Sequence, residues 1–410
     1  MGLFKKKQQS SDDDVAPDDP DAMIKLGLLA HEAGDLEGAR AWWEKAATLG
    51  NPEAMKNLGV HADEAGDLDA ARAWYEQAAT LDQPDAMTNL GSLAQQAGDL
   101  DAARAWWEQA AKLDDPDAMF NLGSLAREAG DLDAARAWLE RAATLGHSQA
   151  MTVLGVLAEE AGDEDAARAW YEQAAKLDDP DAMTNLGLLA QQACDLDAAR
   201  AWYEQAAKLD HPEAMIKLGL LAQQAGDLDA ACVWYEKAAK LGHPDAMFYL
   251  GNISRSRGDK AKARDWWEQA VSLGETDSLL NLGNLSEEEG DIEQARSWFQ
   301  RAHDAGDKKA LFNLGNLEGS AGNEGEMRKT LLAAASAGNG LSMFNLGWFE
   351  EQAGNHDSAR EAYEKAALAG VPEAMFNLGN NARNAGDFTA ARHWWNMGMD
   401  AGDSRAASML

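Results

Sequence analysis

Apolar residues along the chain fall into paired stripes at helical spacing. From Asp115 onward, Ala118, Met119, Leu122, Gly123 and Ala126 share one helical face. After a break at Gly130-Asp131, Leu132, Ala135, Trp138, Leu139, Ala142 and Ala143 form a second stripe. Asp115-Pro116 reads as an N-cap followed by Pro at the first helical position, where a missing N–H costs nothing. Gly130 supplies the left-handed residue that ends the first helix, and Asp131 caps the second. The pattern predicts two helices of about 14 residues, roughly 21 Å each at 1.5 Å per residue.

The pair recurs. The 32 residues Asp179–Asp210 match those beginning at Gln83 almost letter for letter, and twelve such units run without a gap over residues 19–402. One helix pair cannot bury both of its faces, so neighbours must stack and share a continuous core. The expected fold is therefore an all-α solenoid of twelve 32-residue helix-turn-helix repeats. Residues 403–410 read as a truncated C-terminal capping helix. Residues 1–18 are polar and charge-segregated (Lys5–Lys7, then Asp12–Asp14) and read as a disordered tail. Small residues such as Gly123, Ala135 and Ala142 allow close approach of helix backbones. Ten of the fifteen tryptophans share one repeat position (Trp42, Trp74, Trp106, Trp138, Trp170, Trp202, Trp234, Trp266, Trp298 and Trp394) and are expected in the core. In the tenth unit Thr330 stands at that position and Gly325 lies early in the second helix. Packing should be weaker there, with a bend or joint near residues 322–332.

The motif Met-x-x-Leu-Gly-x-x-Ala, then Gly-Asp, then Ala-x-x-x-[Trp/Tyr]-x-x-Ala, resembles the tetratricopeptide repeat pattern. Ala-Met-x-x-Leu-Gly with Ala-x-x-Trp-Tyr-Glu-x-Ala-Ala-x-Leu-Gly-x-Pro-x-Ala is similar to the Sel-one-like branch of that superfamily. The turn between helices is the short Ala-Gly-Asp kind, and the unit is shorter than either norm. The resemblance implies a right-handed superhelix lined on its concave face by the first helices. It also implies non-enzymatic work as an adaptor, chaperone partner, assembly factor or signalling scaffold.

Charge narrows the partners. The formal net charge is −34, and residues 243–410 carry only −9 of it. A field this negative repels phosphates, so nucleic acid is not an expected partner. No apolar run reaches the ~18 residues of a membrane span, so stable membrane insertion is not expected. The start, Met1 to Ser10, has no apolar core of a secretory signal, which points to the cytoplasm. Cys194 and Cys232 replace a Gly and an Arg of other repeats, a pattern of drift and not of disulfides.

Motifs for catalysis, nucleotide binding or zinc are lacking. His147, His211 and His243 share an N-cap position in separate repeats, too far apart for one metal. The Asp-Leu-Asp turns lack the Gly and Glu of a calcium loop. Asn252-Ile-Ser254 and Asn284-Leu-Ser286 spell glycosylation acceptors but follow no signal peptide. No cofactor, no metal and no enzymatic activity are expected.

Information about a partner lies where repeats differ. Units two to seven are nearly interchangeable. From the eighth, the positions that the family's geometry turns toward the groove become Phe248 and Asn252; Asn281 and Asn284; Phe312, Asn313 and Asn316; Phe344, Asn345 and Trp348; Phe376, Asn377 and Asn380. Aromatic anchors interleaved with amides suit an extended protein or peptide partner. Asn89, Asn121 and Asn185 occur in the plain repeats too, so a role for Asn in the fold stays open. At the C-terminal edge, little chain remains to cover Trp394, Trp395, Met397 and Met399. Such an apolar edge would accept a second copy, so the alternative function is a self-assembling structural element or regulatory assembly subunit, a homodimer through that end.

Overall fold

The computed structural model describes residues 19–307 and 309–409, and the tail expected at 1–18 lies outside them. Every regular element among the described residues is a helix. The N-terminal unit, to Leu209, holds six helix pairs from Pro20–Glu32 and Leu36–Thr48 to Pro180–Gln192 and Leu196–Lys208. The C-terminal unit, from Asp210, holds six more, from Pro212–Gln224 and Leu228–Lys240 to Pro372–Asn384 and Phe388–Asp400. The four-residue helix Ser404–Ala407 follows. Within each unit every helix packs on its chain neighbours, which makes an α-solenoid.

The paired helices are 11 to 13 residues long, slightly shorter than the apolar spacing predicts, because the turn takes the last residue of each. In the fourth repeat the first helix closes at Ala129. Gly130 then adopts φ +80°, and the Asp131 N–H returns to the Ala126 carbonyl at 2.9 Å. Asp131 Oδ1 accepts from the Ala134 N–H at 3.0 Å and so caps the next helix. Asp115 does the same for Ala118 at 2.7 Å. Cys194 takes left-handed backbone at the equivalent turn, at φ +60°, and Asp82, Asp114, Asp178 and Asp210 do so at the turns between repeats.

The core is set by one close approach. The ninth residue of each repeat is Gly, and a Cβ there would collide with the side chain sixteen residues on. On Gly123 it would lie 2.7 Å from Leu139 Cγ, and on Gly347 2.6 Å from Tyr363 Cδ1. The side chains in this second position (Trp107, Leu139, Tyr171, Tyr203, Tyr235, Phe299 and Tyr363 among them) are at most 5% exposed. Each such burial contributes about 1.5–3 kcal/mol. Flanking alanines (Ala118, Ala135 and Ala142) are fully buried, which holds the backbones together.

This corrects the expected core. The tryptophan ladder stands one residue earlier and is only half-buried from Trp42 to Trp394. Adjacent residues differ by about 100° around a helix, so only one of the two can meet the glycine. Four of the ladder's rings lie under cations, as Arg141 lies over Trp138 at 4.8 Å. Leu125, not Ala126, completes the first stripe in the core, and Leu132 is 53% exposed at its helix start. Near residues 322–332 the helix Glu324–Ser336 is continuous, and a cavity lies beside Thr330.

Two substitutions test these geometries. Gly123→Ala is expected to lower local stability by about 1–3 kcal/mol through overpacking against Leu139. Amide exchange in Pro116–Thr144 should speed up accordingly, and unchanged rates there would contradict the close approach. Cys194→Gly is expected to raise the midpoint of chemical unfolding, by about 1 kcal/mol, because it relieves a left-handed non-glycine residue. A lowered midpoint would show that the turn is not strained.

Candidate functional site

Three successive first helices of the C-terminal unit, Pro244–Ser256, Asp277–Glu288 and Ala310–Ser320, line a concavity of about 390 Å³. Four of the expected residues face it: Phe248, Asn281, Asn284 and Asn313. Leu280, Asp277, Asp307 and Lys309 complete its wall. Phe248 backs onto the core around Trp267 and Leu282 and meets Tyr249 edge-on at 5.4 Å. Tyr249 in turn stacks on Tyr235 at 5.0 Å, so an aromatic wall reaches from the concavity into the preceding repeat.

The amides are tied across repeats. Asn281 Nδ2 donates to Asn252 Oδ1 at 3.1 Å, and Asn345 Nδ2 donates to Asn316 Oδ1 at 2.8 Å. An asparagine amide offers two donors and an oxygen with two lone pairs, so each pair keeps polar capacity beyond this bond. Asn377 instead lies near the Tyr363 hydroxyl, which donates to Glu351 Oε2 at 2.9 Å and whose ionisation burial and that carboxylate push up. Asn380 Oδ1 is buried without a hydrogen-bond partner among the described residues.

The remaining aromatic candidates divide by exposure. Phe344 is half-buried with its ring 5.7 Å from that of Tyr363, and Phe312 is half-buried as well. Phe376 lies 4.7 Å beneath the Arg405 guanidinium and packs on the cluster of Ala391, Trp395 and Ala406. Trp348 is 53% exposed and presents a free ring. Lys309 is absent from the expected set, although a signal existed: it is a cation where Asp21, Asp117, Asp245 and Asp277 place carboxylates in their repeats.

The C-terminal edge is better covered than its length implied. The short helix buries Ala406 against Gly398, and Asp403 clasps Arg405 at 2.6 Å, which holds it over Phe376. Trp395 is 5% exposed as a result, while Met399 at 43% and Phe388 at 68% stay open.

Elsewhere the polar groups are structural. His147 Nδ1 accepts from the Ala150 N–H at 3.0 Å and Nε2 faces Asp117 at 3.1 Å, so the ring caps a helix. Ser254 and Ser286 of the acceptor triplets are buried inside helices, where each donates to a backbone carbonyl at 2.8 Å. Among the described residues no group of three or more His, Cys, Asp or Glu could hold a metal ion. No described helix is long and apolar enough to cross a membrane.

Comparison with known proteins agrees with this architecture. A tetratricopeptide repeat model matches residues 8–52, 43–86, 88–150, 143–182, 184–242, 216–278 and 344–404, and a second matches 276–303. The chain belongs to the tetratricopeptide repeat family. No curated protein matches its sequence. The crystal structure of c5321, a protective antigen present in uropathogenic Escherichia coli strains that displays an SLR fold, is similar at TM-score 0.53 and 21% identity. That alignment covers 99% of this chain and 92% of the antigen. A Sel1 repeat protein from Oxalobacter formigenes aligns at 27% identity and TM-score 0.47, over 53% of this chain and 99% of its own. The human IFIT1 dimer with PPP-AAAA aligns at 16% identity and TM-score 0.47, over 88% and 92%. Tetratricopeptide repeats are general protein–protein interaction scaffolds and are typically non-catalytic.

Proposed function

We propose that this chain is a non-enzymatic scaffold or adaptor that takes an extended protein or peptide segment along the first helices of its last five repeats. The observation that carries this reading is the concavity where Phe248 and Leu280 meet the amides of Asn281, Asn284 and Asn313. An extended segment exposes both N–H and C=O groups, and an amide satisfies either. The apolar walls supply affinity, and the exposed Trp348 offers a further anchor of the type that dominates interface energies. Lys309 beside Asp277 and Asp307 favours a segment of mixed charge. The net charge of −34 weighs against nucleic acid, and a cytoplasmic setting fits two unpaired cysteines.

Affinity capture from native lysate, with full-length wild type and an Asn284→Ala, Asn313→Ala, Trp348→Ala variant as baits, tests it. Cross-linking should map the captured partner to Phe248–Trp348, and the variant should retain about a tenth of it or less. Equal capture by both baits would overturn the groove reading.

A second reading rests on the C-terminal edge, where Asn380 Oδ1 lacks a donor of the kind that Asn252 and Asn316 receive from the following repeat. With Met399 and Phe388 exposed, that edge supports self-association through a second copy. Sedimentation velocity across the micromolar range should then show the mass rising toward a dimer, with Phe388→Ser holding it down. A constant monomer mass would remove this reading.

A further inference from the structure

Ten repeats place a tryptophan one residue before the buried core side chain, and its indole fills the groove between successive second helices. In the fourth repeat Trp138 lines what remains of that groove, about 150 Å³ floored by Leu122, Leu125 and Ala126. A cation three residues further on often covers the ring: Lys45 over Trp42 at 4.4 Å, Arg141 over Trp138 at 4.8 Å, Lys237 over Trp234 at 4.1 Å and Arg301 over Trp298 at 4.4 Å.

Repeats ten and eleven lack the tryptophan and have Thr330 and Ala362 in its place. The same two repeats carry Glu318 and Glu350 where the others have Ala or Ser, and Asn323 and Asn355 where the others have Asp. The three changes belong together. Each carboxylate is 3% exposed and held by an Arg of the preceding repeat, Arg296 on Glu318 and Arg328 Nη2 on Glu350 at 2.6 Å. Asn323 Nδ2 donates to Glu318 at 2.7 Å and Asn355 Nδ2 to Glu350 at 2.8 Å, and neither Asn caps its own helix. An Asp there would set two carboxylates against each other in a buried site.

A carboxylate is smaller than an indole, so space remains. Beside Ala362 it amounts to about 420 Å³, with Leu332, Met343 and Leu346 as apolar walls and Glu350 among its lining. Lys365 also lines it, in the register of Lys45, Arg141, Lys237 and Arg301, with Ala362 where their rings stand. The space beside Thr330 has Ala333 in that register, and the one beside Trp394 has Met397 and no buried carboxylate.

We propose that the slot beside Ala362 receives a tryptophan side chain from a partner protein, its ring beneath Lys365 and its N–H donated to Glu350. The shape is the one this fold fills with its own indole in ten other repeats. The cation that would cover the ring is retained. Glu350 accepts one bond on each oxygen from Arg328 and Asn355, which leaves lone pairs for an indole N–H. The slot lies on the second-helix side, so it adds a contact independent of the first-helix concavity.

The test is ¹⁹F NMR titration of the full chain with N-acetyl-5-fluorotryptophanamide. A saturable shift with Kd of about 1 mM is expected for so small a probe. Lys365→Ala should weaken it about fivefold. The double variant Glu350→Ala, Ala362→Trp restores the residues of the plain repeats, fills the slot and should abolish the shift. Lys365→Ala leaves the core untouched, so it decides alone should the double variant fail to fold by thermal melt. Absence of a saturable shift up to about 10 mM, or a shift unchanged by Lys365→Ala, overturns the proposal.

Discussion

The contact between a first-helix glycine and the large side chain facing it from the second helix is the constraint on which each repeat depends. Where Leu139 or Tyr363 lies against Gly123 or Gly347, no room exists for even a methyl group. The two helices therefore have one spacing and one rotational setting, and the fully buried alanines beside them follow from that proximity. Interiors packed this tightly do not deform continuously. Variation is pushed outward, to the groove-facing side of the first helix and to the slot between second helices.

That slot has two solutions in this chain. Tryptophan fills it with an apolar ring, in four repeats under a cation, while in repeats ten and eleven a buried glutamate is held by an arginine and an asparagine. The polar solution is demanding, because a carboxylate removed from water needs its lone pairs matched. Arg296 draws the Glu318 carboxyl below its usual range, the sign expected of an ion pair that outweighs desolvation. The first-helix side shows the same economy: Asn281 and Asn345 bridge to the preceding repeat while standing in the row that faces the concavity.

Much of this was legible from residue order alone. The cap at Asp131 and the left-handed turn at Gly130 are local matters, decided by a few dihedrals and one hydrogen bond. The groove row from Phe248 to Asn313 was legible because repetition makes departures visible against eleven internal references. The row's internal sorting was not. Phe344 and Phe376 are half-covered by Tyr363 and Arg405, whereas Trp348 is open, and these differences depend on residues at least 15 positions away in the chain. Thr330 stood out in the sequence by itself, but its coupling to Glu318 and Asn323 had no meaning until they met in space.

The amino-acid sequence by itself determined the repeat length, the helix pairs, their caps and the all-α class, because 3.6-residue periodicity and turn chemistry act within a single unit. Only the tertiary structure decided which of two adjacent large side chains is core. Trp138 and Leu139 are equally apolar by composition, and about 100° of rotation separates them. The glycine opposite accepts one of the two, and its position relative to the second helix is set by packing between helices, not by either helix alone.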